Sequence, residues 1–235
     1  MKSFLMIGQS NMAGRGHFGI VEEIRNPRCR MLRNGRWTAM SEPINPDIGV
    51  FGEWHSGVCL AASFADDYAE RFREDIGLIP CAAGGTRLCE WLPGEVLYDH
   101  AVAQAKFALR SSDIAGILCH HGESDSRTPE DVQRYRERFL FMISSMKKEI
   151  GLSEDIPLIL GELGSFMKEA GDSSVLYDAD RMNGVLHSLA GEIPRCGIAG
   201  AEGLRCQSDG IHFDSVSLRE FGHRYFREYC RIAGK

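Results

Sequence analysis

The sequence predicts a three-layer α/β/α sandwich built on a doubly wound parallel sheet. Short runs that are apolar on both faces recur along the 235 residues, and helical segments separate them. A strand buried on both faces reads as a continuous apolar run, and strands alternating with helices imply crossover connections to a parallel sheet covered on each side.

The elements follow in order. Phe4 to Ile7 is the first strand, ending at Gly8. The stretch from Asn26 to Phe51 departs from the alternation, with a hairpin turning at Asn34-Gly35 followed by a proline-rich loop. Residues 57 to 73 show helical periodicity and lead to the strand Ile76 to Cys81. A helix over 96 to 110 precedes the strand Ile114 to His120. The next helix, 129 to 149, has a start signal in Thr128-Pro129-Glu130-Asp131, which places a cap, a first-turn proline and acidic residues in the order a helix N-terminus favours. Pro157 to Leu163 and Cys196 to Ala201 are the last strands, followed by helices over 176 to 190 and 215 to 231 respectively.

A chain of this length suits one domain over 1–235, and it contains no repeat, low-complexity tract or linker. A net charge of −6 offers no basic field for a phosphate backbone, so neither nucleic acid nor an anionic membrane is an expected partner. The eight cysteines form no C-x-x-C pair or zinc spacing and are expected to be reduced. Met1-Lys2 runs straight into SFLMIG, which is too short for a signal segment, and no run is long enough to span a membrane; a cytoplasmic location is expected. The oligomeric state is left open.

Ligands of such sheets bind beyond the carboxyl ends of the strands. Those positions hold Gly8-Gln9-Ser10-Asn11, Gly84-Gly85-Thr86, His121-Gly122-Glu123-Ser124-Asp125 and, near the C-terminus, Ser208-Asp209-Gly210-Ile211-His212. A serine hydroxyl becomes a nucleophile when an imidazole accepts its proton, and a carboxylate on the other ring nitrogen fixes that imidazole's tautomer. Ser10, His212 and Asp209 supply these three groups, and glycine backbone at 84 and 85 can present N–H donors to an oxyanion. Each fragment has a plainer reading: Ser10 as a helix cap, Gly84-Gly85 and Asp209-Gly210 as turns, His212 as a packed histidine. His120, His121, Glu123 and Asp125 offer an alternative, a divalent ion that activates water, although no H-E-x-x-H pattern is present. A phosphate loop is not indicated, because Gly8 to Gly16 lacks a G-K-[ST] ending.

LMIGQSNMAGRG at 5 to 16, IPCAAGGT at 79 to 86, HHGESD at 120 to 125 and DGIHF at 209 to 213 together resemble the SGNH hydrolases, whose sandwich is flavodoxin-like. Within them the sequence is similar to the sialate O-acetylesterase and acetylxylan esterase branch, carbohydrate esterase family six. The resemblance implies a serine esterase that removes O-acetyl groups from small acetylated carbohydrates, such as xylo-oligosaccharides or sialic acid, through an acyl-enzyme and without a cofactor. It implies Ser10 as nucleophile, His212 as base and Asp209 as its orienting carboxylate. The Ser10 N–H and a glycine of the Gly84-Gly85 pair would form the oxyanion hole, with Gln9, Asn11, Gly122 and Glu123 in support. The branch's third oxyanion donor is typically the glutamine of W-x-Q-G-E, and here that motif reads Cys119-His120-His121-Gly122-Glu123. An imidazole at His121 then stands in the donor's place, or it does not reach and one oxyanion donor is missing; a separate alternative is a carbohydrate-binding relic that has lost its chemistry. Arg15, Arg87, Trp91 and His55 join Asn11 as expected pocket residues.

Overall fold

The computed structural model describes residues 1–46, 55–169 and 177–235. Among them are seven strands: β1 (Lys2–Gly8), β2 (Cys29–Arg33), β3 (Arg36–Ala39), β4 (Ile76–Pro80), β5 (Asp113–His120), β6 (Leu158–Gly161) and β7 (Cys196–Ala199). They form one sheet in the order β3-β2-β4-β1-β5-β6-β7. All neighbouring pairs are parallel except β2 with β3, so the hairpin at Asn34-Gly35 joins the main sheet as an antiparallel edge. Both turn residues take positive φ, 50° at Asn34 and 72° at Gly35, as a tight two-residue hairpin requires. Positions 47–51 of the proline-rich loop, and position 176 at the start of one expected helix, lie outside the described residues.

The helices are α1 (Ser10–Ala13), α2 (Leu60–Phe72), α3 (Val96–Ala108), α4 (Pro129–Ile150), α5 (Ala179–Glu192) and α6 (Ser215–Ala233). At the start of α4 the Thr128 hydroxyl accepts the Asp131 N–H at 3.1 Å, and Gly151 closes the helix at φ 84°. Asp214 caps α6 in the same manner, accepting the Ser217 N–H at 2.7 Å.

Successive residues of a strand point to opposite faces, and β1 supplies both cores in this way. Leu5 and Ile7 join Tyr98, Tyr135 and Phe139 beneath α3, α4 and α5, whereas Phe4 and Met6 join Phe64, Phe221 and Tyr225 beneath α2 and α6. The Phe4 ring meets Phe64 edge-on with centroids 4.8 Å apart and Tyr229 at 5.1 Å, favoured arrangements for aromatic quadrupoles. The eight cysteines are unpaired, and burial pushes the Cys81 and Cys119 thiols well above their usual range, so both behave as small apolar side chains. No helix among the described residues is long and apolar enough to cross a membrane.

The chain steps from β1 to β2 and β4 on one side, then crosses back to β5 on the other. The order therefore reverses at β1, and a crevice opens at its carboxyl end between the β4 and β5 loops. Gly8 ends β1 at φ 127°; a Cβ there would lie 2.0 Å from the His120 carbonyl, so only glycine lets the chain leave β1 this close to β5.

Candidate active site

Gly8 turns the chain into α1, whose first residue is Ser10. The Gln9 N–H donates to the His120 carbonyl at 3.0 Å, and the Gln9 carbonyl accepts from Met12 and Ala13. Ser10 is thereby raised at the β1 end with a backbone N–H that, in the first turn, has no intrahelical acceptor.

Opposite it lies the loop between β7 and α6. The Gln207 N–H donates to the His212 carbonyl at 2.8 Å, and the Gln207 side-chain amide donates to the carbonyls of Arg15 at 2.6 Å and Phe213 at 3.2 Å. The loop is thus tied both to itself and to the segment after α1. Within it, Asp209 Oδ1 accepts the N–H groups of Ile211 at 2.8 Å and His212 at 2.9 Å, while Asp209 Oδ2 lies 2.6 Å from His212 Nδ1. His212 Nε2 stands 2.8 Å from Ser10 Oγ. With its proton on Nδ1, held by the carboxylate, the ring presents a lone pair on Nε2 to the Ser10 hydroxyl. Partial burial works to raise the Asp209 pKa, but the two backbone N–H groups and the imidazole outweigh it and hold the carboxyl below its usual range.

A cavity of about 220 Å³ opens in front of Ser10, lined among others by Gln9, Gly84, Gly85, Arg15 and His212. Gly84 is close to the nucleophile: a Cβ there would lie 3.4 Å from Ser10 Cβ and 2.4 Å from an Arg15 guanidinium nitrogen. The Gly84 N–H makes no hydrogen bond among the described residues, so it is open to an incoming acceptor. Asn45 fixes the chain just before it, donating to the Ala82 carbonyl at 2.9 Å and accepting the Ala82 N–H at 3.0 Å. This side chain imitates a strand partner, and neither its role nor that of Gln207 leaves a motif in the sequence.

Asn11 and Glu123 lie behind the nucleophile. Asn11 donates to Glu123 Oε1 at 2.8 Å and accepts the Phe213 N–H at 3.1 Å, bridging the β5 loop to the residue after His212. The His120 ring packs between these and α6, with Nε2 3.3 Å from Glu123 Oε1 and Nδ1 3.3 Å from the Tyr225 hydroxyl. Burial works to raise the Glu123 pKa, yet the His120 ring close by and the Asn11 hydrogen bond bring it down to about 2.

The structure does not bring His121 to the cavity. Strand alternation carries it to the opposite face of the sheet from His120, where it is 3% exposed, stacks on Tyr135 and meets Trp91 edge-on. Its Nδ1 lies 3.1 Å from the Tyr135 hydroxyl. Burial, with the neighbouring His120 charge, lowers its pKa to about 4 against the opposing pull of Glu123 and the Thr86 backbone, so the ring is neutral. The expected imidazole donor at 121 is therefore not a group that faces the nucleophile. Gly122, at φ 127°, is the bend that separates it from Glu123.

Of the other expected pocket residues, Arg15 lines the cavity. Trp91 is buried and donates to Thr86 Oγ1 at 3.0 Å, beneath the glycine turn. Arg87 is exposed and 3.8 Å from Asp131, and His55 is exposed. The four side chains of the metal alternative diverge to two faces of the sheet, and among the described residues no group of three or more His, Cys, Asp or Glu is placed to hold a metal ion. Arg127 and Tyr177, which the sequence did not point to, form a pair at the cavity, joined by a 2.7 Å hydrogen bond.

A doubly wound sandwich with a serine at the β1 end, a glycine turn after β4 and an Asp-x-x-His loop before the last helix defines an SGNH-type hydrolase. The family model described as "SASA: Carbohydrate esterase, sialic acid-specific acetylesterase" matches residues 1–231, and the chain belongs to that family. A probable carbohydrate esterase of Arabidopsis thaliana is 27% identical over 97% of this chain and 91% of its own length. A solved Arabidopsis thaliana structure superposes with a TM-score of 0.85 at 25% identity, covering 98% of both chains. A carbohydrate acetylesterase from Xanthomonas citri shares the fold, with a TM-score of 0.73 at 18% identity over 99% of this chain and 56% of that one. The chain is thus a carbohydrate esterase, a hydrolase acting on small carbohydrate esters.

Proposed function

We propose that the chain is a serine esterase that removes O-acetyl groups from carbohydrates by way of an acyl-enzyme on Ser10. The observation that carries this is the unbroken pair of hydrogen bonds from Asp209 to His212 and from His212 to Ser10. In the first step Ser10 Oγ attacks the ester carbonyl as its proton passes to His212 Nε2. The carbonyl oxygen takes up negative charge facing the Ser10 and Gly84 N–H groups. Collapse breaks the bond to the sugar oxygen, which leaves with the proton from His212, and acetyl stays on Ser10. Water then repeats the sequence, giving up a proton to His212 and releasing acetate. Asp209 keeps its charge throughout and stabilises the imidazolium.

Ligand sites for larger molecules occupy roughly 300–1,000 Å³, so the smaller cavity favours a short acyl group over a long chain. Acetylated xylo-oligosaccharides and acetylated sialic acids are the substrates to screen, the latter supported by the family's description. On this reading one domain over 1–235 does the work, in the cytoplasm.

The test is acetate release from an activated aryl acetate by the parent, by Ser10→Ala, and by the parent with chelator. Loss in the serine variant alone, with its unfolding midpoint unchanged, is expected. A Ser10→Ala variant as active as the parent sinks the proposal.

A further inference from the structure

The branch this chain resembles takes an oxyanion donor from a glutamine where this chain has His121, and His121 is turned into the opposite core. If the serine-esterase reading holds, on which this inference rests, the site is one donor short unless another side chain supplies it. Gln9 has the required properties. It precedes the nucleophile, lines the same cavity as Ser10, Gly84 and His212, and is 2% exposed. Its Oε1 accepts the Ser124 N–H at 3.3 Å. A backbone N–H can only donate, so this contact fixes which end of the amide is oxygen and turns the NH₂ group away from Ser124.

That NH₂ group has no hydrogen-bond partner among the described residues, and it is not among the polar atoms sealed inside the protein. The cavity is the space it has left to face. An amide N–H that opens on the cavity is free to exchange solvent for an acceptor that arrives with substrate. The amide is also held in place before any substrate binds, because Ser124 clamps its oxygen and α1 begins at its backbone. Such preorganisation is what makes a donor useful to a developing negative charge.

We propose that Gln9 Nε2 is a catalytic hydrogen-bond donor to the oxyanion, acting beside the Ser10 and Gly84 N–H groups.

Two substitutions separate this from a structural role. Gln9→Glu keeps an oxygen for the Ser124 N–H and removes the donor, whereas Gln9→Met removes both without adding charge. Aryl acetate hydrolysis is measured for the parent, Ser10→Ala and both variants, together with unfolding midpoints and inhibition by phenylboronic acid, whose tetrahedral adduct on Ser10 mimics the oxyanion. Both variants are expected to lose about a hundredfold in kcat with KM within about threefold, and to weaken boronate inhibition by a similar factor. Either folded variant with kcat within about threefold of the parent overturns the proposal. So does a loss of kcat with boronate inhibition unchanged. If Gln9→Met does not fold, Gln9→Glu decides alone by the same criteria. A parent without Ser10-dependent hydrolysis fails differently, overturning the esterase reading itself and this role with it.

Discussion

The carboxyl end of β5 carries two histidines and, just beyond, two carboxylates, and the sheet sends one of each to either side. His120 and Glu123 face the α2 and α6 side, where Asn11 and Tyr225 complete a polar chain reaching the residue after His212. His121 and Asp125 face the α3 and α4 side, packed with Tyr135 and Trp91. Burial is similar on both sides, with Glu123 at 1% exposure and Asp125 at 0%. The outcomes are opposite. Glu123, with the His120 ring and the Asn11 amide against it, is held at about 2. Asp125 has the Leu88 N–H and a neutral His121 ring 3.8 Å away, and burial, with Asp131 adding repulsion, pushes it up to about 7 against Leu88, Arg138 and Arg87. Residue type and depth do not set a role here; the partner does.

The largest effect is expected from breaking the charged side. Glu123→Gln takes the charged acceptor away from Asn11 and the His120 ring in a buried site, and unfolding in urea at pH 7 should show a loss of about 3 kcal/mol. An equal loss in Asp125→Asn would erase the contrast.

Acid titration sharpens it. Folded Asp125 keeps its proton up to about pH 7, whereas the unfolded chain releases it near the ordinary aspartate value of 3.8. The folded state then binds more protons in that window, so this group's stabilisation declines as pH rises from about 4 to 7, by something on the order of 4 kcal/mol. Glu123 acts with the reverse sign and lower down, its contribution fading as pH falls from the ordinary glutamate value of 4.5 towards 2. Asp125→Asn should flatten the parent's stability profile between pH 4 and 7 and leave the acid limb below it unchanged; urea midpoints across the range give the answer.

Asn11→Leu removes the bridge between Glu123 and the Phe213 N–H. A loss of about 1–3 kcal/mol is expected by thermal unfolding, with kcat reduced and KM little changed, since the His212 loop loses its brace. The smallest effect belongs to His121→Gln. Its pH–rate profile should superimpose on the parent's, because the ring lies away from the nucleophile and is neutral already; a displaced acid limb would return His121 to the site.

Much of this architecture was legible because regular elements repeat their signals. The apolar runs at 4–7, 76–81 and 114–120 fall on β1, β4 and β5, and Thr128-Pro129 marks the start of α4. Ser10, Gly84, Asp209 and His212 stood at strand or loop ends, where the reversal at β1 gathers them. Alternation alone did not tell which face His121 takes, since its phase beyond the end of β5 depends on the bend at Gly122. Nor did it show the antiparallel edge, because a hairpin reads the same whether or not it joins the main sheet. Asn11 with Glu123 and Asn45 with Ala82 are single polar contacts between distant segments, and such contacts have no period.

The stitches between residues 10–17 and 207–215 span separations of 192 to 202 residues, Ser10 with His212 among them. Contacts this remote in sequence require the closure of very large loops, and topologies rich in them fold slowly. The Ser10–His212 pairing therefore belongs among the late events of folding, after β1 has been flanked by β4 and β5. In a refolding experiment, helix signal is expected to return first and hydrolysis to lag behind it, making turnover a clock for the final docking of the two remote segments.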